Sequence, residues 1–150
     1  VEKGCTSSVY VSVGTASCAY DRFMGFKKEL ESAGAKTPRI LDSMDCFEEN
    51  FSALFENSET VPDSFFCFSD MVAFDVIYRL EKMGIKNAQV IGFDDIQKEV
   101  RIPKRLISVG TDKRAMAQRA VNVLVSRIEE GRGPRVSDMF GVYLNGDILS

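Results

Sequence analysis

The chain has 150 residues, 45% of them hydrophobic and 27% charged, with 22 acidic and 19 basic side chains for a net charge of -3. This is the balance of one ordinary soluble globular domain, long enough to bury a core without disulfides or a metal. No apolar run approaches the ~20 residues that span a bilayer, and no segment has the order of a signal peptide, so no membrane partner is expected. The absence of His removes the commonest general base and the commonest metal ligand, and with them catalytic triads and HExxH-type sites. Cys5, Cys18, Cys46 and Cys67 stand singly, with no CxxC, and read as small core hydrophobes in a reducing compartment. Neither a metal nor a cofactor is expected. The first residue is Val1 rather than Met, which marks a processed chain or a piece of a longer one.

In chain order, residues 9–13 are β-branched and aromatic and end at Gly14, as a buried strand entering a turn does. Phe23, Phe26, Leu30 and Ala33 then recur at helical spacing over 21–33, with Gly34 at the C-cap position. A short strand at 39–41 precedes a helix marked by Phe47, Phe51, Leu54 and Phe55. Residues 65–68 form a third strand, after which Ser69 or Asp70 can cap a helix carrying Phe74, Ile77, Leu80 and Met83 and closed by Gly84. Residues 89–93 form a fourth strand, ended by Asp94 and Asp95. Residues 97–105 read as a solvated loop with four basic side chains. A strand at 106–109, a long helix over 113–130 and a last strand at 142–144 complete the chain. Strands alternating with helices predict an α/β fold, a doubly wound open parallel sheet with three αβα layers.

In such sheets ligands bind beyond the carboxyl ends of the strands. Those ends carry Thr15, Ser17 and Arg22, then Asp42, Ser43 and Asp45, then Ser69 and Asp70, then Asp94 and Asp95. No glycine-rich phosphate cradle follows the first strand, so nucleotide binding is not expected. Arg22 falls in the predicted first helical turn, where the macrodipole disfavours a cation, so either a ligand or an acidic neighbour such as Asp21 uses it. The neighbouring Asp94 and Asp95 point to opposite faces and would not share an ion or a proton; one facing a ligand and the other capping a turn or helix is the simpler account.

Arg22-Phe23-Met24-Gly25-Phe26, then Phe66-Cys67-Phe68-Ser69-Asp70-Met71, then Val90-Ile91-Gly92-Phe93-Asp94-Asp95, together resemble the effector-binding core of the lactose-repressor (LacI/GalR) family of bacterial transcription regulators. Ile102-Pro103-Lys104-Arg105-Leu106-Ile107-Ser108-Val109 resembles the family's Pro-x-x-Leu-Thr-Thr-Val stretch, and the match runs over essentially the whole chain. The resemblance implies a periplasmic-binding-protein-like second lobe over 1–105, with Lys3-Gly4-Cys5 at its opening. Residues 106–136 would be a returning strand and long helix that normally pack on a first lobe, and 137–150 a terminal strand returning to the second.

It further implies a cytoplasmic, non-enzymatic regulator that binds a small polar effector, a sugar or similar metabolite, between its lobes. Operator DNA would be bound only through an N-terminal module absent from this chain. A periplasmic sugar-binding protein of a transporter is the alternative. Position by position, Arg22 and Asp94 match the family's effector contacts, and Asp70 the neighbouring aspartate. Ser69 stands where sugar-binding relatives usually carry Asn. Phe47 falls near an effector-stacking aromatic, and Thr111 near a first-lobe polar contact. Phe74, Ile77 and Tyr78 match a dimerisation surface. Met116, Val121 and Leu124, on the long helix, would face another copy or dock back on the chain, because leaving four or five large aliphatics wet costs roughly 6–12 kcal/mol.

Overall fold

The computed structural model describes residues 6–14, 17–56, 61–96, 106–129, 131 and 141–145. Chain order is β1 (Ser8–Ser12), α1 (Ser17–Ser32), β2 (Arg39–Asp42), α2 (Phe47–Ala53), β3 (Ser64–Cys67), α3 (Asp70–Lys82), β4 (Gln89–Phe93), β5 (Leu106–Thr111), α4 (Lys113–Glu129) and β6 (Val142–Asn145). The strands form one six-stranded sheet in the order β2-β1-β3-β4-β5-β6. The first five are parallel, as expected, while β6 runs antiparallel along β5, with Gly110 opposite Tyr143. An antiparallel edge strand on a parallel sheet is a common departure from the uniform pattern.

Strand alternation divides the core between two layers. Val9, Val11, Phe65, Cys67 and Val90 share one cluster with Phe47 and Phe51 of α2 and with Ala73, Val76, Ile77 and Leu80 of α3. Tyr10 and Phe66 point the other way, against Phe23 and Phe26 of α1, with ring centroids 5.0–5.8 Å apart. α1 and α3 end where glycine permits a left-handed residue: Gly34 and Gly84 both have φ of 71°. Arg79 ties α3 to α2 through Glu48 at 2.8 Å and lies over the Phe47 ring.

Several expectations change. The helix carrying Arg22 starts at Ser17, so Arg22 lies in its second turn and the macrodipole argument does not apply. Cys67 is buried as expected, and burial followed by the charge of Asp70 pushes its thiol well up. Cys18 and Cys46 are exposed instead, Cys18 in the first turn of α1 and Cys46 in a left-handed bend before α2. β5 is bonded to β4 from Val90–Leu106 to Phe93–Val109, so this part of the returning segment belongs to the sheet. α4 leaves the sheet: none of its residues is buried, and Met116, Val121, Leu124, Val125 and Ile128 are all exposed. Among the described residues, none covers its apolar face. Among the described residues, no helix is long and apolar enough to cross a membrane. The opening Lys3-Gly4-Cys5, Thr15 and the basic loop 97–105 lie outside the described residues.

Candidate functional site

The carboxyl ends of β3 and β4 meet α1 at Arg22. Its guanidinium lies 3.7 Å from the centroid of the Phe93 ring and 4.6 Å from that of Phe68. Nη1 donates to the Phe68 carbonyl, and Nη2 lies 3.9 Å from Oδ1 of Asp94. Two aromatic faces hold a planar cation by its ring quadrupoles and leave an edge of the guanidinium for polar partners. Asp94 follows β4 with φ of 105°, and its amide donates to the Val109 carbonyl at 2.9 Å. Its carboxyl is pushed up, chiefly by desolvation; Arg22 draws it down, Asp70 raises it and Lys113 lowers it. The side chain keeps 45% of its accessible surface, so it can still accept hydrogen bonds from a ligand. A donor-only guanidinium beside an acceptor-only carboxylate suits a ligand rich in hydroxyl groups.

Beneath this pair lies a buried polar network. Ser69 is the N-cap of α3, its hydroxyl accepting the Val72 amide at 3.4 Å, so it serves the helix first. Asp70 is not that cap. It is fully buried, its Oδ1 accepting the Ser108 hydroxyl at 2.6 Å and its Oδ2 the Ile96 amide at 3.0 Å. A carboxylate so enclosed cannot touch an effector, and its predicted contact role becomes a supporting one. Ser108 Oγ also accepts the Asp95 amide at 2.9 Å, and Asp95 Oδ2 accepts the Tyr143 hydroxyl at 2.7 Å. Asp94 therefore keeps an exposed carboxyl while Asp95 is bonded into the turn.

The remaining predicted residues do not gather here. Phe47 is buried between α2 and the sheet, its ring tilted against Phe51 and covered by the Arg79 guanidinium, which leaves it no ligand face. Thr111 ends β5 opposite Val142, half-buried. Ile77 is a core residue and cannot serve a dimer surface, whereas Tyr78 is exposed and Phe74 half-buried. Phe68, Phe93, Ser108, Lys113 and Tyr143 were not predicted; Gly92 before the aromatic, and a serine inside an otherwise apolar strand, were the signals available.

A separate cavity of about 400 Å³ lies between α1 and the β1–β2 edge, lined by Tyr10, Ser12, Gly14, Ala19, Tyr20, Phe23 and Ile40. None of the predicted contacts lines it. The Tyr10 hydroxyl, bonded to the Ala19 carbonyl at 2.9 Å, has its pKa pushed up to about 12 by burial. Among the described residues no His, Cys, Asp or Glu cluster could hold a metal ion.

The family model for the periplasmic binding protein-like domain matches residues 1–141. The HTH-type transcriptional repressor PurR of Vibrio atlanticus (strain LGP32) is 26% identical over 139 residues, 87% of this chain and 41% of the repressor. A LacI-family transcriptional regulator from Burkholderia phymatum superposes with a TM-score of 0.74 at 25% identity, over 95% of this chain and 55% of that one. A periplasmic binding protein/LacI transcriptional regulator from Alkaliphilus metalliredigens QYMF, complexed with D-xylulofuranose, gives 0.73 at 22% identity, over 96% and 56%. The chain thus spans 41% of the curated relative and about half of each solved one. It belongs to the periplasmic binding protein-like domain family, and the relatives it matches include LacI-family transcriptional regulators.

Proposed function

We propose that this chain is the ligand-sensing and dimerisation part of a cytoplasmic, DNA-binding transcriptional regulator and that it is not an enzyme. Its effector is a small polar metabolite, a sugar or a similar polyol-like molecule, received by Arg22 and Asp94. The single observation that carries this reading is the Arg22–Asp94 pair at the carboxyl ends of the sheet, braced on Phe68 and Phe93. The D-xylulofuranose complex of a structural neighbour supports a sugar, though the short Ser69, engaged in capping, offers less than an amide would. Operator DNA would be contacted by a separate module, as the name of the PurR relative suggests for that protein.

In this proposal residues 1–105 with β5 form one lobe, α4 packs on a second lobe or on another copy, and β6 returns to the first. Exposed Tyr78 and Met71 on α3, with half-buried Phe74, supply a dimerisation face. Thermal-shift screening of mono- and disaccharides against the full-length gene product tests the effector. A sugar that raises the melting temperature should lose its effect in Arg22→Ala and Asp94→Ala while both variants stay folded. Normal responses in both variants would overturn the site. An export signal upstream, in place of a DNA-binding module, would favour a transport protein.

A further inference from the structure

Asp94 is presented by an unusual backbone: both Asp94 (φ 105°) and Asp95 (φ 47°) lie in the left-handed region that non-glycine residues avoid. Such a conformation is strained and persists only where the surroundings over-determine it. The restraints converge on Asp95. From the sheet side, Ser108 accepts its amide. From the segment after β5, the Lys113 ammonium donates to its carbonyl at 3.2 Å and the Tyr143 hydroxyl to its carboxylate at 2.7 Å. The Tyr143 ring reaches Asp95 by crossing Gly110, where a Cβ would stand 2.6 Å from the ring and 2.7 Å from the Asp95 Cβ.

We propose that Tyr143 and Lys113 are positioning residues: acting through Asp95, they hold the turn that aims Asp94 at Arg22. Lys113 is the first residue of α4 and Tyr143 lies in β6, so movement of the exposed α4 relative to the sheet is transmitted to the Asp94–Arg22 pair. A ligand that fixes Asp94 has the reciprocal effect on α4, since coupling between two sites works in both directions. The inference rests on the proposed effector role of Asp94 only for its biological meaning. The mechanical link itself is independent of any ligand.

The test is amide hydrogen exchange by NMR on the full 150-residue chain without ligand, in wild type, Tyr143→Phe and Lys113→Met. Loss of either tether should speed exchange at Asp95 and Ile96 by about tenfold or more relative to Val11 and Val90 in the sheet centre. A purely structural role would speed all four sites by one common factor. That uniform change, or no change at Asp95 and Ile96 in either variant, would overturn the proposal. If Tyr143→Phe does not fold, Lys113→Met at the exposed start of α4 decides alone. Localised acceleration in a protein that binds no sugar would uphold the link and remove the effector reading instead.

Discussion

Gly92 makes room for Asp70: a Cβ at position 92 would overlap Asp70 Oδ1 and stand 3.1 Å from its Cα. The carboxylate is fully buried and already engaged by Ser108 and Ile96, so it cannot swing aside without leaving a buried charge unpaired. Gly92→Ala is therefore expected to destabilise the fold by about 3 kcal/mol or more, through overpacking and loss of the network together. Urea unfolding measures this, and a change within about 0.5 kcal/mol, as at an ordinary surface site, would contradict it.

Asp94 is expected to weaken the fold near neutral pH. Desolvation raises its pKa in the folded state, and Arg22 only partly opposes that. A group with a raised folded pKa contributes stability fully below its unfolded pKa, about 3.9 for Asp, and loses it as pH rises through the folded pKa. Asp94→Asn should therefore unfold at higher urea than wild type at pH 7, with the advantage shrinking toward zero at pH 3. A residue kept at a cost to stability is what a binding role leads one to expect. Equal midpoints at both pH values would show that desolvation of Asp94 costs the fold nothing.

The parallel strands, their helices and the glycine stops were legible in the sequence because alternation and helical spacing act locally. Gln89–Phe93 was read with its observed bounds, and the helix from Lys113 with its observed start. Arg22 and Asp94 were legible from the family motif, and the structure brings them to 3.9 Å. What sequence could not reveal was depth. Phe47 and Ile77 lie on the apolar faces that helical spacing marks, so only their contact roles fail; Asp70 is one residue from the cap Ser69 yet fully buried, which depends on how α3 packs against the sheet. The antiparallel direction of β6 and the reach of Tyr143 across Gly110 depend likewise on long-range pairing.

Ile77 and Tyr78, adjacent on α3, should separate core from surface. Ile77 is 1% exposed among Phe and Val side chains, and Tyr78 is 55% exposed beside Lys82. Ile77→Ala should cost about 2–5 kcal/mol through the lost transfer energy and the cavity left behind. Tyr78→Ala should stay within about 0.5 kcal/mol in a monomer and weaken self-association if α3 forms the dimer face. Denaturant melts at low concentration with sedimentation at high concentration distinguish the two. A large loss of monomer stability from Tyr78→Ala would place that ring in the core instead.

On α4, Val121 and Leu124 are 59% and 58% exposed, three residues apart on one helical face. Apolar side chains so placed contribute little to the stability of this chain alone but would contribute about 1.5–3 kcal/mol each when fully covered by a partner. The double change of Val121→Lys with Leu124→Lys should accordingly leave the urea midpoint of the dilute chain nearly unchanged. It should lower the fraction of dimer seen by sedimentation at high concentration, since each lysine would bring a charge into the covered face. Dimers unaffected by the double change would exclude α4 as the contact between copies. They would leave the first lobe of an intact regulator as the partner its aliphatic face serves.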